Sequence, residues 1–454
     1  MTDTDVEYDA VVVGMGVAGS EVAGTLAEAG WSVLGIEARL VGGECPYWGC
    51  VPSKMAVRAG NSLAEARRVD RLAGTATVEA NWAPVAERIR REATDDWNDQ
   101  VAVERFNKQG GHFVRGRARI TGRQSVEVDS QHYRATRALV VASGTEPTAP
   151  PIDGLGQVPY WTNRDALEAR QLPGSLIVLG GGSVGCELSQ VFARFGVRVT
   201  IVEHEDRLLA HETPAAGALL ASVFEQEDIG VVTGSAAQRV AGDTDHVRIE
   251  LANGTAREAD RLLVAVGRRT DLADLGVAKL GISADAHFLP VDEHLRVTDG
   301  VWAVGDVTGK GGFTHVAMYQ ARIAAADILG RPHEHADYRA VPRVTFTDPE
   351  IGAVGLTPTQ ARDAGIELRL GDTPLPSTAR GWIHGPGNDG FIELVEDRNN
   401  GVLVGATVAG PSGGEVLGLL TLAVHAQIPI GRLRQMIYAY PTFHRGIEDA
   451  LREL

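Results

Sequence analysis

Cysteine is scarce in this chain of 454 residues, with three copies. Three cannot build the disulfide framework of a small secreted protein or a four-cysteine zinc site. No apolar run reaches the roughly 18 residues of a membrane-spanning helix, so no span is expected. Positive charge is in deficit: 43 Lys and Arg face 59 Asp and Glu, for a net charge of −16. A chain that acidic repels phosphate backbones and anionic lipid, which argues against nucleic acid or a membrane as its main partner. The opening residues Met1 to Glu7 lack the basic-then-apolar order of a secretion signal, and a cytoplasmic location is expected. Low-complexity segments are also lacking. What remains is a globular balance of 44% hydrophobic and 22% charged residues, long enough for about three domains.

Glycine is abundant, at 54 residues, and clustered. The apolar run Tyr8 to Val13 reads as a buried parallel strand and leads directly into Gly14-Met15-Gly16-Val17-Ala18-Gly19. A helix is predicted over 20–29, stopped by Gly30, then a second strand over 31–36, then Glu37. This is the dinucleotide-binding fingerprint in its required context. The pattern recurs with a strand over 176–179, the turn Gly180-Gly181-Gly182-Ser183-Val184-Gly185, a helix over 187–195, a strand over 197–202 and Glu203. The first glycine and the acid both reappear 166 positions later. A lone glycine turn is often only structural; two in identical internal register are far more specific.

The first glycine of each turn (Gly14, Gly180) permits a tight bend. The second (Gly16, Gly182) lets backbone approach a pyrophosphate, and the third (Gly19, Gly185) lets helix pack on strand. The acids Glu37 and Glu203 suit ribose hydroxyls. Two units imply two dinucleotides, and flavin plus nicotinamide is the natural pair. A carboxylate at Glu203 favours a free 2′-hydroxyl, hence NADH over NADPH, unless Glu203 merely caps its strand.

Elsewhere, 60–110 reads as interrupted helix and 118–139 as antiparallel strands. The stretch from Gly144 to Pro151 is a break suited to a domain crossing. Beyond a boundary near 333–342, strand-like segments (391–395, 402–408) precede helical ones (414–427, 432–438), an α+β order.

The segment Gly42-Gly43-Glu44-Cys45-Pro46-Tyr47-Trp48-Gly49-Cys50-Val51-Pro52-Ser53-Lys54 holds two cysteines five apart. No further Cys or His stands at short spacing, so no metal is expected there, and a redox-active pair is the better reading. Cys186, inside the second dinucleotide helix, reads as a small buried hydrophobe.

With that segment, Ala265-Val266-Gly267-Arg268, Ala303-Val304-Gly305-Asp306 and Val344-Thr345-Phe346-Thr347-Asp348-Pro349-Glu350, the chain resembles the flavoprotein disulfide reductases from end to end. The resemblance implies an α/β fold of two Rossmann-like domains, for FAD and NAD(P), plus a C-terminal α+β dimerisation domain. The segments would be 1–148 (FAD), 149–268 (NAD(P)), 269–338 (completing the FAD site) and 339–454 (dimerisation). It further implies that Cys50 lies against the flavin and that Cys45 is the exposed thiol that attacks substrate. Asp306 would bond the ribityl chain, and Lys54, paired with Glu187, would sit near the flavin. Gly43, Gly144, Gly267, Gly305 and Ala317 would be further cofactor contacts.

Two departures concern the substrate. The family's His-Pro-Thr-x-x-Glu relay is here Tyr440-Pro441-Thr442-Phe443-His444-Arg445. Tyrosine, with an ordinary pKa near 10, is a poor base at pH 7. His444 follows Tyr440 by four residues, so a helical turn would put the two on one face, unless Pro441 starts the helix only after Tyr440. Mercuric reductases carry a C-terminal cysteine pair where this chain ends Leu451-Arg452-Glu453-Leu454, which disfavours mercury as substrate. Tyr47 and Trp48 between the thiols either stack on a flat substrate or fill space. The leading expectation is electron flow from NAD(P)H through FAD and a Cys45–Cys50 disulfide to a small-molecule disulfide, with the reverse reaction on a dithiol also open. The alternatives are a diaphorase passing flavin electrons directly to a quinone, and a non-catalytic regulatory subunit. A homodimer is expected.

Overall fold

The protein, seen in a computed structural model that describes residues 5–454, divides into two compact units. One runs to Pro52 and adds Arg88–Pro147 and Arg268–Tyr338; the other comprises Ser53–Glu87, Thr148–Gly267 and Arg339–Leu454.

The first unit is built on the strand Val6–Val13. Its Ala10 to Val13 stretch pairs in parallel with Val33 to Ile36 on one side and with Ala138 to Val141 on the other. The strands Gly111–Arg115 and Val301–Ala303 extend the parallel sheet outward. Val11, Val12 and Leu139 are fully buried, because a parallel sheet covered on both faces accepts a continuous apolar run. The helices Val17–Glu28 and Thr314–Ile328 cover one face through Val22, Leu26, Ala321 and Ala324. On the other face lie Leu272, Val277 and Leu289. The segment Ala118 to Leu139 forms antiparallel strands as expected, with Ser125–Val128 pairing the start of Gln131–Val141.

The second unit repeats the motif as a four-stranded parallel sheet, in the order Gly230–Val232, Arg198–Val202, Ser175–Leu179, Arg261–Val264. It also holds a five-stranded antiparallel sheet, Pro342–Thr345, Glu350–Gly355, Val402–Gly410, Phe391–Asp397 and Leu368–Pro374, with the helix Gly413–His425 packed on it. This is the expected α+β region.

Three local expectations are corrected. The two dinucleotide helices begin at Val17 and Ser183, three and four residues before the predicted starts. Gly16 and Gly182 are their N-cap residues, and Gly19 and Gly185 lie inside the first turn. The sequence reading counted those inner glycines with the turn, whereas they belong to the helix. The helix expected over 432–438 is Ile430–Arg434. It ends where Tyr438 turns inward, its hydroxyl donating to the Leu433 carbonyl at 3.1 Å.

Candidate active site

In the first unit, Gly14 adopts φ +95°, and a Cβ there would fall 2.3 Å from the Ala142 carbonyl oxygen. A Cβ on Gly19 would fall 1.9 Å from the Gly14 carbonyl oxygen. These two glycines are therefore required by the protein itself. Gly16 differs: a Cβ there would meet only Gly43, at 3.9 Å, so its surface is open. Glu37 closes the turn, its carboxylate accepting from Met15 N–H at 2.9 Å and Arg39 N–H at 2.7 Å. A cavity of about 170 Å³ lies beside Glu37 and Gly144, walled by Gly116, Ser143 and Leu275.

Asp306 follows Gly305 (φ +81°) and accepts from the Thr145 hydroxyl at 3.0 Å. Arg268 donates to the same hydroxyl at 2.9 Å and to the Thr145 carbonyl at 2.7 Å. Burial pushes the Asp306 carboxyl above its ordinary range, against the opposing pull of Thr145 and Arg268. A Cβ on Gly305 would lie 3.5 Å from the Ala18 Cβ and 4.0 Å from the Ala317 Cβ, so three small residues share one wall.

Cys45 lies in the short helix Glu44–Tyr47, and Cys50 opens the long helix Cys50–Arg67. The two are not joined in a disulfide here. The Cys45 thiol is pushed far above its ordinary value, chiefly by its hydrogen bond to Cys50 and then by burial. Cys50 Sγ lies 3.2 Å from the Thr314 hydroxyl. Cys50 is exposed and Cys45 half-buried. Gly49 packs against Cys45, where an added Cβ would fall 3.4 Å from the Cys45 Cα, and Cys50 stands at a helix start. Tyr47 is buried, its hydroxyl donating to the Val41 carbonyl at 3.3 Å, and so it packs rather than stacking on a substrate.

The second unit repeats the turn. A Cβ on Gly180 (φ +107°) would fall 2.4 Å from the Ala265 carbonyl oxygen, and one on Gly185 would fall 2.0 Å from that of Gly180. Cβ atoms on Gly182 and Gly267 would meet nothing within 4 Å. Glu203 accepts from Gly181 N–H at 2.5 Å and Glu205 N–H at 2.8 Å, matching Glu37 residue for residue. Cys186 is buried, its thiol raised by burial, and it points at the Gly181 carbonyl.

Lys54 Nζ donates to Glu187 at 2.7 Å and lies 4.7 Å from the centre of the Phe346 ring. Glu187 also accepts from Phe346 N–H at 2.9 Å. Gln190 and Arg194, farther along the same helix face, both bond Asp348. One helix face thus fixes the 346–348 segment beneath the lysine.

Tyr440 is 71% exposed, with the Arg445 guanidinium 5.5 Å from its ring centre. His444 is half-buried beside Tyr438, ring centres 6.2 Å apart. The expected shared helical face does not form, because Thr442 is extended and only a single turn, Phe443–Arg445, precedes the helix Gly446–Glu453. The sequence reading missed Thr145, Thr314 and Phe346, whose partners at the site stand 123 or more positions away. Arg268 stood within a quoted motif but was given no role.

A family model described as pyridine nucleotide-disulphide oxidoreductase matches residues 8–321, and that family's dimerisation domain matches 341–451. The chain belongs to the pyridine nucleotide-disulphide oxidoreductases. It is 33% identical to a dihydrolipoyl dehydrogenase of Thermus scotoductus over 98% of this chain and 97% of the relative. It is 32% identical to a mercuric reductase of Bacillus cereus over 98% of this chain and 71% of the relative. Among solved structures, an HOCl-induced flavoprotein disulfide reductase, RclA, of Escherichia coli superposes with a TM-score of 0.84 at 25% identity. LpdA of Mycobacterium tuberculosis gives 0.84 at 26%, and both alignments cover 98% of this chain and 99% of the other. The chain is therefore a member of a family of FAD-dependent, NAD(P)H-using enzymes. No helix among the described residues is long and apolar enough to cross a membrane.

The residues present fit both nucleotides. Glu37, the open Gly16 surface, Gly43, Gly144 and Asp306 offer ribose, pyrophosphate and ribityl partners for FAD. Glu203, Gly180, Gly182 and Gly267 could likewise take the ribose and pyrophosphate of a nicotinamide nucleotide.

Proposed function

We propose that this enzyme passes electrons from NADH through FAD to a Cys45–Cys50 disulfide and on to a small-molecule disulfide, working as a cytoplasmic homodimer. In this reading 1–148 and 269–338 hold FAD, 149–268 holds the nicotinamide nucleotide, and 339–454 forms the dimer. The carrying observation is the thiol pair itself: Cys45 hydrogen-bonds to Cys50, Cys50 opens an 18-residue helix, and the Thr314 hydroxyl stands 3.2 Å from Cys50 Sγ. A helix start favours sulfur carrying negative charge, so Cys50 suits the flavin side and Cys45 the substrate side.

FAD, when bound, supplies hydride acceptance and two-electron transfer to the disulfide. Lys54, held by Glu187 at 2.7 Å, is the cation that the family resemblance assigns to the flavin. Arg207, the cation nearest in sequence to Glu203 that could meet a 2′-phosphate, is tied to Asp206 at 2.9 Å and to the Ala210 carbonyl at 2.8 Å, which supports NADH. Exposed Trp382, Ile383, Met436, Ile437 and Tyr440 support a covered C-terminal face.

The test is turnover of the yellow, purified protein with NADH against lipoamide, small thiol disulfides and quinones. Disulfide reduction lost in Cys45→Ser, with quinone reduction kept, is the expected result. One observation favours the diaphorase reading: Tyr440 and Arg445 replace the family's His–Glu relay. Equal quinone turnover in wild type and Cys45→Ser, with no disulfide turned over, would establish it.

A further inference from the structure

Apart from the redox site, the first unit gathers three histidines on its surface. His294 lies in the tight turn before Arg296–Thr298; His333 and His335 lie in the segment that follows the helix Thr314–Ile328. The His294 ring packs edge-on against His333, centres 5.1 Å apart, and against His335, 4.7 Å apart. Glu293 completes the group. Its Oε1 lies 3.3 Å from His335 Nδ1 and 3.9 Å from His294 Nε2. In a tetrahedral zinc centre with bonds of about 2.0–2.1 Å, neighbouring donors stand about 3.4 Å apart. Both distances from Glu293 are near that spacing, and all three donors lie within 4.8 Å of one another.

The frame behind them is fixed. Ala336 N–H donates to the Glu293 carbonyl at 2.9 Å, which holds His335 beside Glu293. His294 N–H donates to Asp292 at 2.9 Å, and Leu295 is buried in the core. Asp327 is already engaged by Arg296, at 2.6 and 2.7 Å, and by the Trp302 indole at 2.8 Å. It serves as an outer partner of His333, 3.4 Å away, not as a ligand. The His294 nitrogen that faces Glu293 is Nε2; the other ring nitrogen, Nδ1, is buried and takes no part in the group.

We infer that Glu293, His294 and His335 bind a divalent transition-metal ion of the zinc class, with the remaining position open to water. Two imidazoles select such an ion over magnesium or calcium. Thr314, beside Cys50, and Asp327 stand 13 residues apart on one helix, a rise of about 20 Å. The site is therefore separate from the thiol pair, and its ion would staple the segment around 333–336 to the turn around 292–295. The sequence offered only His333-Glu334-His335 as a signal, with its partners some 40 positions earlier.

The test is calorimetric titration of the FAD-loaded enzyme with Zn2+, with the Cys45–Cys50 disulfide formed so that free thiols do not compete. Micromolar or tighter binding of one ion is expected. It should weaken by about a hundredfold or more in His294→Ala and His335→Gln. His335 is exposed, so its variant retains the fold, checked by flavin content. Zinc should also raise the melting temperature of wild type but not of His335→Gln. Binding no tighter than millimolar, or binding indifferent to His294→Ala and His335→Gln, overturns the inference.

Discussion

Glu203 directs one oxygen at the Gly181 amide and the other at the Glu205 amide. It is a staple of its own turn and, in the proposed reading, also a ribose acceptor. Removing it therefore has two separable effects. Glu203→Ala should narrow a preference for NADH over NADPH, and Glu203→Arg should invert it, as read from kcat/KM with each nucleotide. A tenfold wild-type preference for NADPH would refute this role. Asp306 offers a second test. Burial raises its pKa, so the favourable, protonated state is held fully below the ordinary value near 3.8 and is lost as pH rises through the shifted value. At pH 7 the ionised side chain thus costs the FAD-free protein stability. Asp306→Asn keeps an oxygen for the Thr145 hydroxyl and removes that charge. It should raise the melting temperature of FAD-free protein at pH 7 while weakening FAD binding by about tenfold, the worth of one hydrogen bond to a charged group. A fall in both would show that the charge stabilises the unit. The thiols carry a third expectation: in FAD-loaded, two-electron-reduced enzyme a long-wavelength charge-transfer band should vanish in Cys50→Ala and survive in Cys45→Ala.

At the scale of elements, the two glycine turns separate folding from binding within a few residues. A Cβ on Gly185 collides with backbone at 2.0 Å, while one on Gly182 meets nothing within 4 Å. Gly185→Ala should therefore destabilise by about 1–3 kcal/mol, as overpacking does, seen as a lower melting temperature. Gly182→Ala should leave melting untouched and raise KM for NADH. Equal melting of the two variants would contradict this division. Both turns are legible in the sequence because strand, turn, helix and acid are contiguous, so local patterning carries them. The helix starts are less legible, since an inner glycine looks the same whether it breaks a helix or lets it pack. The Thr145–Asp306 and Cys50–Thr314 contacts join residues 161 and 264 positions apart, and no local pattern reports such pairs. Lys54 and Glu187 became legible only together, through the family resemblance. The shared face expected for Tyr440 and His444 failed because the extended Thr442 replaces the helical turn that the four-residue spacing presumed.

For the molecule as a whole, the open question is which chain completes each redox site. Tyr440 is largely exposed with an arginine over its ring, and Ile437 beside it is 96% exposed. An apolar, exposed C-terminal face suits burial against a second copy. On that reading Tyr440 of one subunit donates a proton at the partner's Cys45 during disulfide reduction, and His444, half-buried beside Tyr438, is an interface residue. Tyr440→Phe should then slow disulfide turnover by about a hundredfold, the usual worth of a positioned acid, and spare quinone turnover; His444→Ala should do little. Mixing decides the geometry. If Tyr440 serves the partner, a Cys45→Ser subunit paired with a Tyr440→Phe subunit holds one site with both defects and one intact site. Random reassembly of the two variants makes about half of the dimers mixed, each with one working site of two, so about a quarter of wild-type disulfide turnover should return. If Tyr440 serves its own chain, every site in the mixture carries one defect and nothing returns. Full turnover by a strictly monomeric enzyme would remove the partner from the reaction altogether.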